Sequence, residues 1–509
     1  MRNSSRRALR WSAVFAGACA VGAASCISPH AQPLPYPASK WNRVLIVSGG
    51  PDTEYNQYAI ESNARYVASL TKNAAWRRIL FADGKPTSKT ISTVLDTPRT
   101  RAAAIVAWIL NFGPPDEKTQ LNAPTLRPIN APATPDSITQ NIATFAQSVN
   151  SKDSQLVYFT GHGSPGKNQF GNDDYINTQY NSWGDDFSVR QLARELQKSK
   201  SQAPLVLVMV QCYSGGFANV LYQDGDPTKP LWSRDICGFF AAIPDRMAAG
   251  CTSQVNERDY QDFTTHFFAA LSGVSRDGRK VTGADYDNNG SVSFDEAYAY
   301  AQINDDSIDV PLCTSDAFLC QVFPNDAPTG WQKTSFSRLS KDATPSQLAV
   351  LGTLGPKVKL SGQDQLAKAY KRMMAFQPEQ EANSNSDDDW TPPPGINEAQ
   401  FNASYDRLEK LLKSRYPKAN LLHGPERSRA FETSTSLLLA QTKDLNVVYQ
   451  GYTKSLASED AREVEEARLH RFVRLGRTII LTKRLEREGT PNQKAIFARL
   501  RASESRSAF

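Results

Sequence analysis

Three short apolar runs constrain this chain more than any other feature. Arg43 to Val47 (RVLIV), Gln155 to Thr160 (QLVYFT) and Leu205 to Val210 (LVLVMV) are strand-length and apolar on both faces. Such strands need cover on each side, as in a parallel sheet packed between helices. The sequence between them supplies the helices. Tyr58 to Leu70 has helical spacing, Pro135-Asp136 opens a helix over Ile138 to Val149, and Ser188 is placed to cap one running through Leu196. Arg101 to Leu110 has the same spacing, and Arg78 to Phe81 is a further short strand. In sheets of this kind functional side chains sit just beyond the C-terminal ends of strands. The run 155–160 is expected to end abruptly in Gly161-His162-Gly163, and the run 205–210 closes in Gln211-Cys212-Tyr213-Ser214-Gly215-Gly216.

At 509 residues the chain exceeds one ordinary domain. With 40% hydrophobic and 10% aromatic residues it has enough apolar material for a core, which excludes wholesale disorder. The net charge is +6, but Arg2, Arg6, Arg7 and Arg10 lie at the extreme N-terminus. Removing those four from 58 basic against 52 acidic residues leaves +2, so a nucleic-acid binder is not expected. No run approaches ~18 consecutive apolar residues, which excludes a multi-span membrane protein. Residues 1–26 read as a secretory signal, with an Arg-rich start, an apolar stretch from Trp11 to Ala24, and Ala23-Ala24-Ser25-Cys26, which resembles a bacterial lipobox. On that reading Cys26 carries a lipid that holds the exported protein at the membrane of the cell envelope, and residues 27–40 are a Pro-rich tether. The alternative is ordinary cleavage among Gly22 to Ser25, giving a soluble periplasmic product.

Of seven cysteines, Cys19 and Cys26 belong to the leader. Cys237, Cys251, Cys313 and Cys320 suit two disulfides, with Cys237–Cys251 and Cys313–Cys320 the local pairing among three connectivities. Cys212 is left over, and an unpaired thiol in an oxidising compartment needs a reason; reactivity is one. A strand-end Cys and a strand-end His are the parts of nucleophilic catalysis. A thiol of pKa about 8.5 is mostly protonated at neutral pH, and a neighbouring imidazole activates it, so Cys212 is expected to be partly ionised beside His162. Backbone N–H groups of Gly163 and Cys212 are candidate oxyanion donors.

The segments Tyr158 to Ser164 and Gln211 to Gly216 resemble those of legumain-type cysteine peptidases (family C13) of the caspase-like clan, over roughly Trp41 to Pro311. Arg43 to Val47 followed by Tyr55-Asn56 also resembles the first strand and loop of that family. The resemblance implies a caspase-like, mostly parallel α/β sheet flanked by helices across residues 41–325. It implies an exported endopeptidase acting on a peptide or protein substrate through a His162–Cys212 dyad and a thioacyl-enzyme, with Gly163 at the oxyanion hole and Asn56 supporting His162. The chain departs from the family at Val210, two residues before Cys212, where legumains carry an acid that reads the substrate Asn. It departs again at Tyr58, which replaces a basic residue, and at Gly161, which replaces an Asp. Asn or Asp specificity is therefore not carried over. The segment Ala248 to Asp262 is expected to border the specificity pocket. Two further readings share these residues: a transpeptidase using the same acyl-enzyme, and a catalytically silent, calcium-stabilised binding module.

Residues 285–296, DYDNNGSVSFDE, satisfy an EF-hand loop. Asp285, Asp287, Asn289, Ser291, Ser293 and Glu296 are the expected Ca²⁺ ligands, with Gly290 at the sharp turn and a helix leaving through Ala297 to Ala301. A single loop suggests a structural ion. Residues 326–395 are expected to be irregular, ending in an acidic and Pro-rich linker, and residues 396–509 to be all-α. From Ala461 onward twelve Lys or Arg stand against six Glu, with Leu469, Phe472, Val473, Leu475, Ile479 and Ile480 on an apolar face. That face suits a helical bundle, or else a membrane surface or partner.

Overall fold

The computed structural model describes residues 34–94, 119–146, 154–199, 201–253, 255–324, 330–376 and 443–509, with isolated helical positions from 399 to 414 and backbone alone for 443–459. The leader with Cys26, the expected helix 101–110 and the linker 378–395 lie outside the described residues.

The apolar runs form the middle of one sheet. Its strands are β1 (Arg43–Gly49), β2 (Trp76–Phe81), β5 (Gln155–Lys167), β8 (Leu205–Met209), β9 (Ile236–Phe240) and β10 (Leu312–Cys313), in the spatial order β10-β9-β8-β5-β1-β2. All pair in parallel except β10, which runs antiparallel to β9. A separate hairpin is made by β3 (Ile91–Val94) and β4 (Thr119–Asn122). This is a mixed α/β fold with a mostly parallel central sheet flanked by helices.

Alternation along each strand divides the core in two. Leu45, Val47, Val157, Phe159, Leu207 and Met209 face one side, under the helices Pro135–Ala146 and Val189–Gln197. Val44, Ile46, Leu156, Tyr158, Val206 and Val208 face the other, under Tyr58–Leu70, Phe263–Ser272 and Phe294–Asn304. Ser188 caps its helix as expected, in a capping box with Gln191.

Two expectations are corrected here. The 155–160 strand does not stop at Gly161: β5 runs on to Lys167 and pairs antiparallel with β6 (Asp173–Asn181), to which β7 (Asp186–Ser188) adds. Thr178 and Tyr180 of β6 turn inward and are fully buried, and the Tyr180 ring joins the main core against Phe159. The stretch expected to be irregular holds three helices, Phe336–Asp342, Pro345–Lys357 and Gln365–Ala375. Gly352, Gly355 and Pro356 lie inside the second of them and weaken its helical pattern.

These helices cover the long C-terminal helix Lys443–Glu488, and the apolar face at Leu469, Phe472, Val473, Leu475 and Ile479 is buried among them and against Ala299 and Ile303. The helix Pro491–Glu504 follows, and the terminal Phe509 ring meets Trp41 edge-on at 5.6 Å. The C-terminal region thus packs onto the α/β sheet domain. Among the described residues no helix is long and apolar enough to cross a membrane.

Candidate functional site

From β1 the chain crosses to β2 on one side, while β5, β8 and β9 extend the sheet on the other. The C-terminal ends of β1 and β5 therefore part at a switch point, where open parallel sheets leave a crevice. Residues 50–57 leave β1 there and Gly161-His162-Gly163 cross it on β5.

The 50–57 turn is tight: a Cβ on Gly50 would lie 1.9 Å from the carbonyl oxygen of Tyr55. Asn56 is fully buried and stitches the turn, accepting from the Gly50 N–H at 3.2 Å and donating to the Thr90 carbonyl at 3.1 Å. Its amide is thus committed to the loop, and the residues either side of it meet the imidazole. His162 Nε2 lies 2.7 Å from Gln57 Oε1, the ring makes a backbone hydrogen bond to Tyr55, and the Tyr55 ring stands edge-on at 5.8 Å. Asn56 was the expected support for His162; that contact belongs to Gln57 and Tyr55, and Asn56 shapes the loop that carries them. Gln57 is the N-cap of Tyr58–Leu70, but its side chain makes no capping bond and is turned to the imidazole instead.

Cys212 follows β8, beside β5. A Cβ on Gly163 would sit 2.2 Å from the Cys212 carbonyl oxygen and 2.7 Å from Gln211 Cγ, so only glycine lets the two strand ends approach this closely. Tyr213 is left-handed at φ 59°, and its N–H donates to the Arg246 carbonyl at 2.8 Å. Left-handed backbone at a non-glycine residue costs about 1–3 kcal/mol and persists where surroundings enforce it. The Cys212 sulfur accepts from the Ala248 N–H at 3.3 Å and lies 3.6 Å from the Ala248 carbonyl. Among the described residues, thiol and imidazole share the ledge without a hydrogen bond between them: the ring is held by Gln57 and Tyr55, the sulfur by Ala248.

Both groups are half-exposed by surface but set in dense protein, and this governs their protonation. Burial holds the His162 imidazole down to about 4, against the opposing Tyr55 backbone bond and the charge of Asp52. Burial pushes the Cys212 thiol up to about 11; the Ala248 bond opposes it and the Asp309 charge adds to it. The expected partly ionised thiol is therefore corrected. At neutral pH the pair rests as a neutral thiol and a neutral imidazole.

Val210 and Tyr58 can also be placed. Val210 is core, packed among Val208 and Phe239. The Tyr58 hydroxyl binds Glu257 at 3.1 Å, and Arg65, two helical turns on, joins both, so a guanidinium and a carboxylate from the segment 248–262 meet at Tyr58.

The expected disulfides are absent: Cys212, Cys237, Cys251, Cys313 and Cys320 are all free. Cys237 pairs with Val206 low on β9, whereas the Cys251 sulfur meets the Gly161 carbonyl, beyond the upper strand ends. Val206 is level with Leu156 on β5, five residues before Gly161, so at ~3.3 Å per residue the two sites lie roughly 16 Å apart along the sheet, past the ~7 Å Cα separation a disulfide spans. Cys313 caps the helix holding Cys320 seven residues later, about 10 Å along its axis at 1.5 Å per residue.

In the 285–296 loop, ligand atoms of Asp285, Asp287 and Glu296 lie within 4.8 Å of one another. Gly290, at φ 90°, donates to Asp285 at 2.9 Å, and Asn289 Oδ1 accepts from Ser291 N–H at 3.0 Å. Ser293 N-caps the exit helix Phe294–Asn304, and Glu296 completes the capping box while accepting from Tyr286 and Asp287 N–H. Three carboxylates gathered on one point among neutral oxygens form a donor set that suits a hard divalent cation.

The depressed imidazole has a consequence for stability. Between its ordinary pKa of 6.5 and about 4, the unfolded chain binds a proton that the folded chain does not. Stability therefore rises with pH through that window and is lost as pH falls. Chemical denaturation from pH 7 to 4 should show a shallower acid loss in His162→Gln than in wild type. Parallel curves would show that His162 is not held neutral.

No protein-family model matches the chain, and no curated protein matches it. Among solved structures, a crystal structure of a Geobacter sulfurreducens protein matches 54% of this chain and 92% of its own, at 10% identity and a TM-score of 0.29.

Proposed function

We propose that this protein is a cysteine endopeptidase in which Cys212 is the nucleophile and His162 the general base. The observation that carries the reading is the meeting of β5, past its pairing with β8, and the chain leaving β8, where Gly163 packs on the Cys212 backbone and His162 is the adjacent residue. Because both groups rest neutral, attack and proton transfer go together. With one ring nitrogen donating to the Tyr55 backbone, the other, Nε2, carries the lone pair; as Sγ bonds to the peptide carbonyl carbon, Nε2 leaves the Gln57 amide and takes the thiol proton, and negative charge develops on the carbonyl oxygen. Backbone N–H groups of Gly163 and Cys212 are the proposed donors to that oxyanion. Collapse breaks the C–N bond, the imidazolium gives its proton to the leaving amine, and a thioacyl-enzyme remains. Water then adds with His162 again as base, releasing the acid and restoring the thiol. Transpeptidation differs only in that an amine takes the place of water.

A peptidyl acyloxymethyl ketone should alkylate Cys212 in preference to the other free thiols. Cys212→Ala should abolish both labelling and peptide hydrolysis, and His162→Ala should lower hydrolysis by orders of magnitude. Hydrolysis at the wild-type rate in Cys212→Ala would remove the reading, and labelling spread over several thiols would speak for a silent domain.

We also propose that the 285–296 loop binds Ca²⁺ as a structural ion, Asp285, Asp287, Asn289, Ser293 and Glu296 offering side-chain oxygens and Ser291 its carbonyl. The loop is joined to the sheet domain by the helix Phe294–Asn304, which packs on both the sheet and the C-terminal helices. A cation at about 100 times its Kd, bound only to the folded state, stabilises by about 2.7 kcal/mol. Chelation should accordingly lower the melting temperature and Glu296→Gln should remove the calcium response. A melting curve indifferent to calcium after chelation would count against the site.

A further inference from the structure

The helix Lys443–Glu488 contributes nothing to the chemistry above, yet it reaches the loop that holds the thiol. We infer that it is a working part of the site: Glu466 and His470 fix Arg246, and through the loop 243–249 they position the Cys212 sulfur. The inference rests on Cys212 being the nucleophile.

The loop is pinned on both sides of Ala248. At Arg246 the backbone carbonyl accepts from Tyr213 N–H at 2.8 Å and the backbone N–H donates to the Ile243 carbonyl at 3.2 Å. Its guanidinium leaves the loop and meets Glu466 Oε1 at 2.8 Å and His470 Nε2 at 3.3 Å. At Ala249 the N–H donates to Asp309 Oδ1 at 2.6 Å, and the other oxygen of that carboxyl accepts from Phe263 N–H at 3.1 Å. The segment around Asp309 is in turn held from the same helix. Arg471, 1% exposed, donates to the carbonyls of Asp309 at 2.6 Å, Gln302 at 3.1 Å and Ser307 at 3.2 Å, and also to that of Asp305. Between the pins, the Ala248 N–H points at the Cys212 sulfur from 3.3 Å.

The docking of this helix does not need the Arg246 contact, because Leu469, Phe472, Val473 and Ile479 already bury it. Arg246 and Glu466 are 25% and 23% exposed, so water still reaches either group when its partner is removed, and the apolar face continues to hold the helix. What the cluster does provide is a fixed origin for the loop that donates to the thiol. Arg246, Glu466 and His470 are thus positioning residues, acting on the sulfur only through Ala248.

The test uses the full chain with Arg246→Ala, Glu466→Ala and Arg246→Lys. At one fixed pH, the rate of Cys212 carboxamidomethylation by iodoacetamide is followed by peptide mass spectrometry, alongside kcat and KM on a cleaved peptide and the melting temperature. The inference expects both alanine variants to melt near wild type. It expects alkylation and kcat to fall about tenfold, because small misplacements at a reacting centre cost that much or more. KM should stay nearly constant, and Arg246→Lys should recover most of the loss. Folded alanine variants that alkylate at the wild-type rate would overturn it, as would a fall in melting temperature that accounts for the whole effect in all three variants. Should the wild type cleave no peptide while alkylation still responds, the positioning stands and the peptidase reading falls.

Discussion

Burial of the central strands on both faces is the constraint from which the rest follows. Strands β1 and β8, and β5 as far as Thr160, are buried on both faces, so helices must cover the sheet above and below, and the backbone polar groups are satisfied by parallel pairing within it. Parallel pairing sends every return connection through a helix and gathers the strand exits along one edge. Because β2 lies on one side of β1 and β5 on the other, the exits of β1 and β5 diverge there. His162 and the loop that holds it occupy that gap, and Cys212 enters from the neighbouring exit of β8.

The same burial sets the chemistry. Low polarity around the strand exits disfavours both an imidazolium and a thiolate, so the site rests without charge. On the proposed reading, the base takes the proton during attack and not before it. Each resting contact then has an assignable role. Gln57 and Tyr55 fix the ring, Ala248 supplies an N–H to the sulfur, and the loop carrying Ala248 is tied to a helix more than two hundred residues later in the chain. The C-terminal region is therefore joined to the site by polar contacts as well as by its apolar face.

Much of this was legible in the sequence, and the exceptions have physical causes. Strands β1, β5 and β8, the helix Tyr58–Leu70, the Ser188 cap and the carboxylates of the 285–296 loop were all readable, since apolar periodicity, capping and fixed ligand spacing are local signals. Strand β9 escaped because ICGFF has a glycine at its centre and a cysteine that counted toward a disulfide; its burial comes from strands far away in sequence. The β5 extension escaped because Gly161 and Gly163 read as a stop, and the inward Thr178 and Tyr180 of β6 are too few to mark a strand clearly. Asn56 came from the resemblance of Tyr55-Asn56 to a family motif, and a loop has no period by which the sequence could show Gln57 at the imidazole. The neutral state of the pair is a tertiary property, set by burial among segments distant in sequence.

That neutral state is the point on which the account turns, and it can be measured directly. Ultraviolet absorbance of thiolate, recorded against pH as the difference between wild type and Cys212→Ser, reports ionisation of this one thiol. The account predicts no Cys212 thiolate at neutral pH and a rise toward about 11. A difference spectrum showing thiolate at pH 7 would contradict it, and would mean that Cys212 and His162 rest as an ion pair.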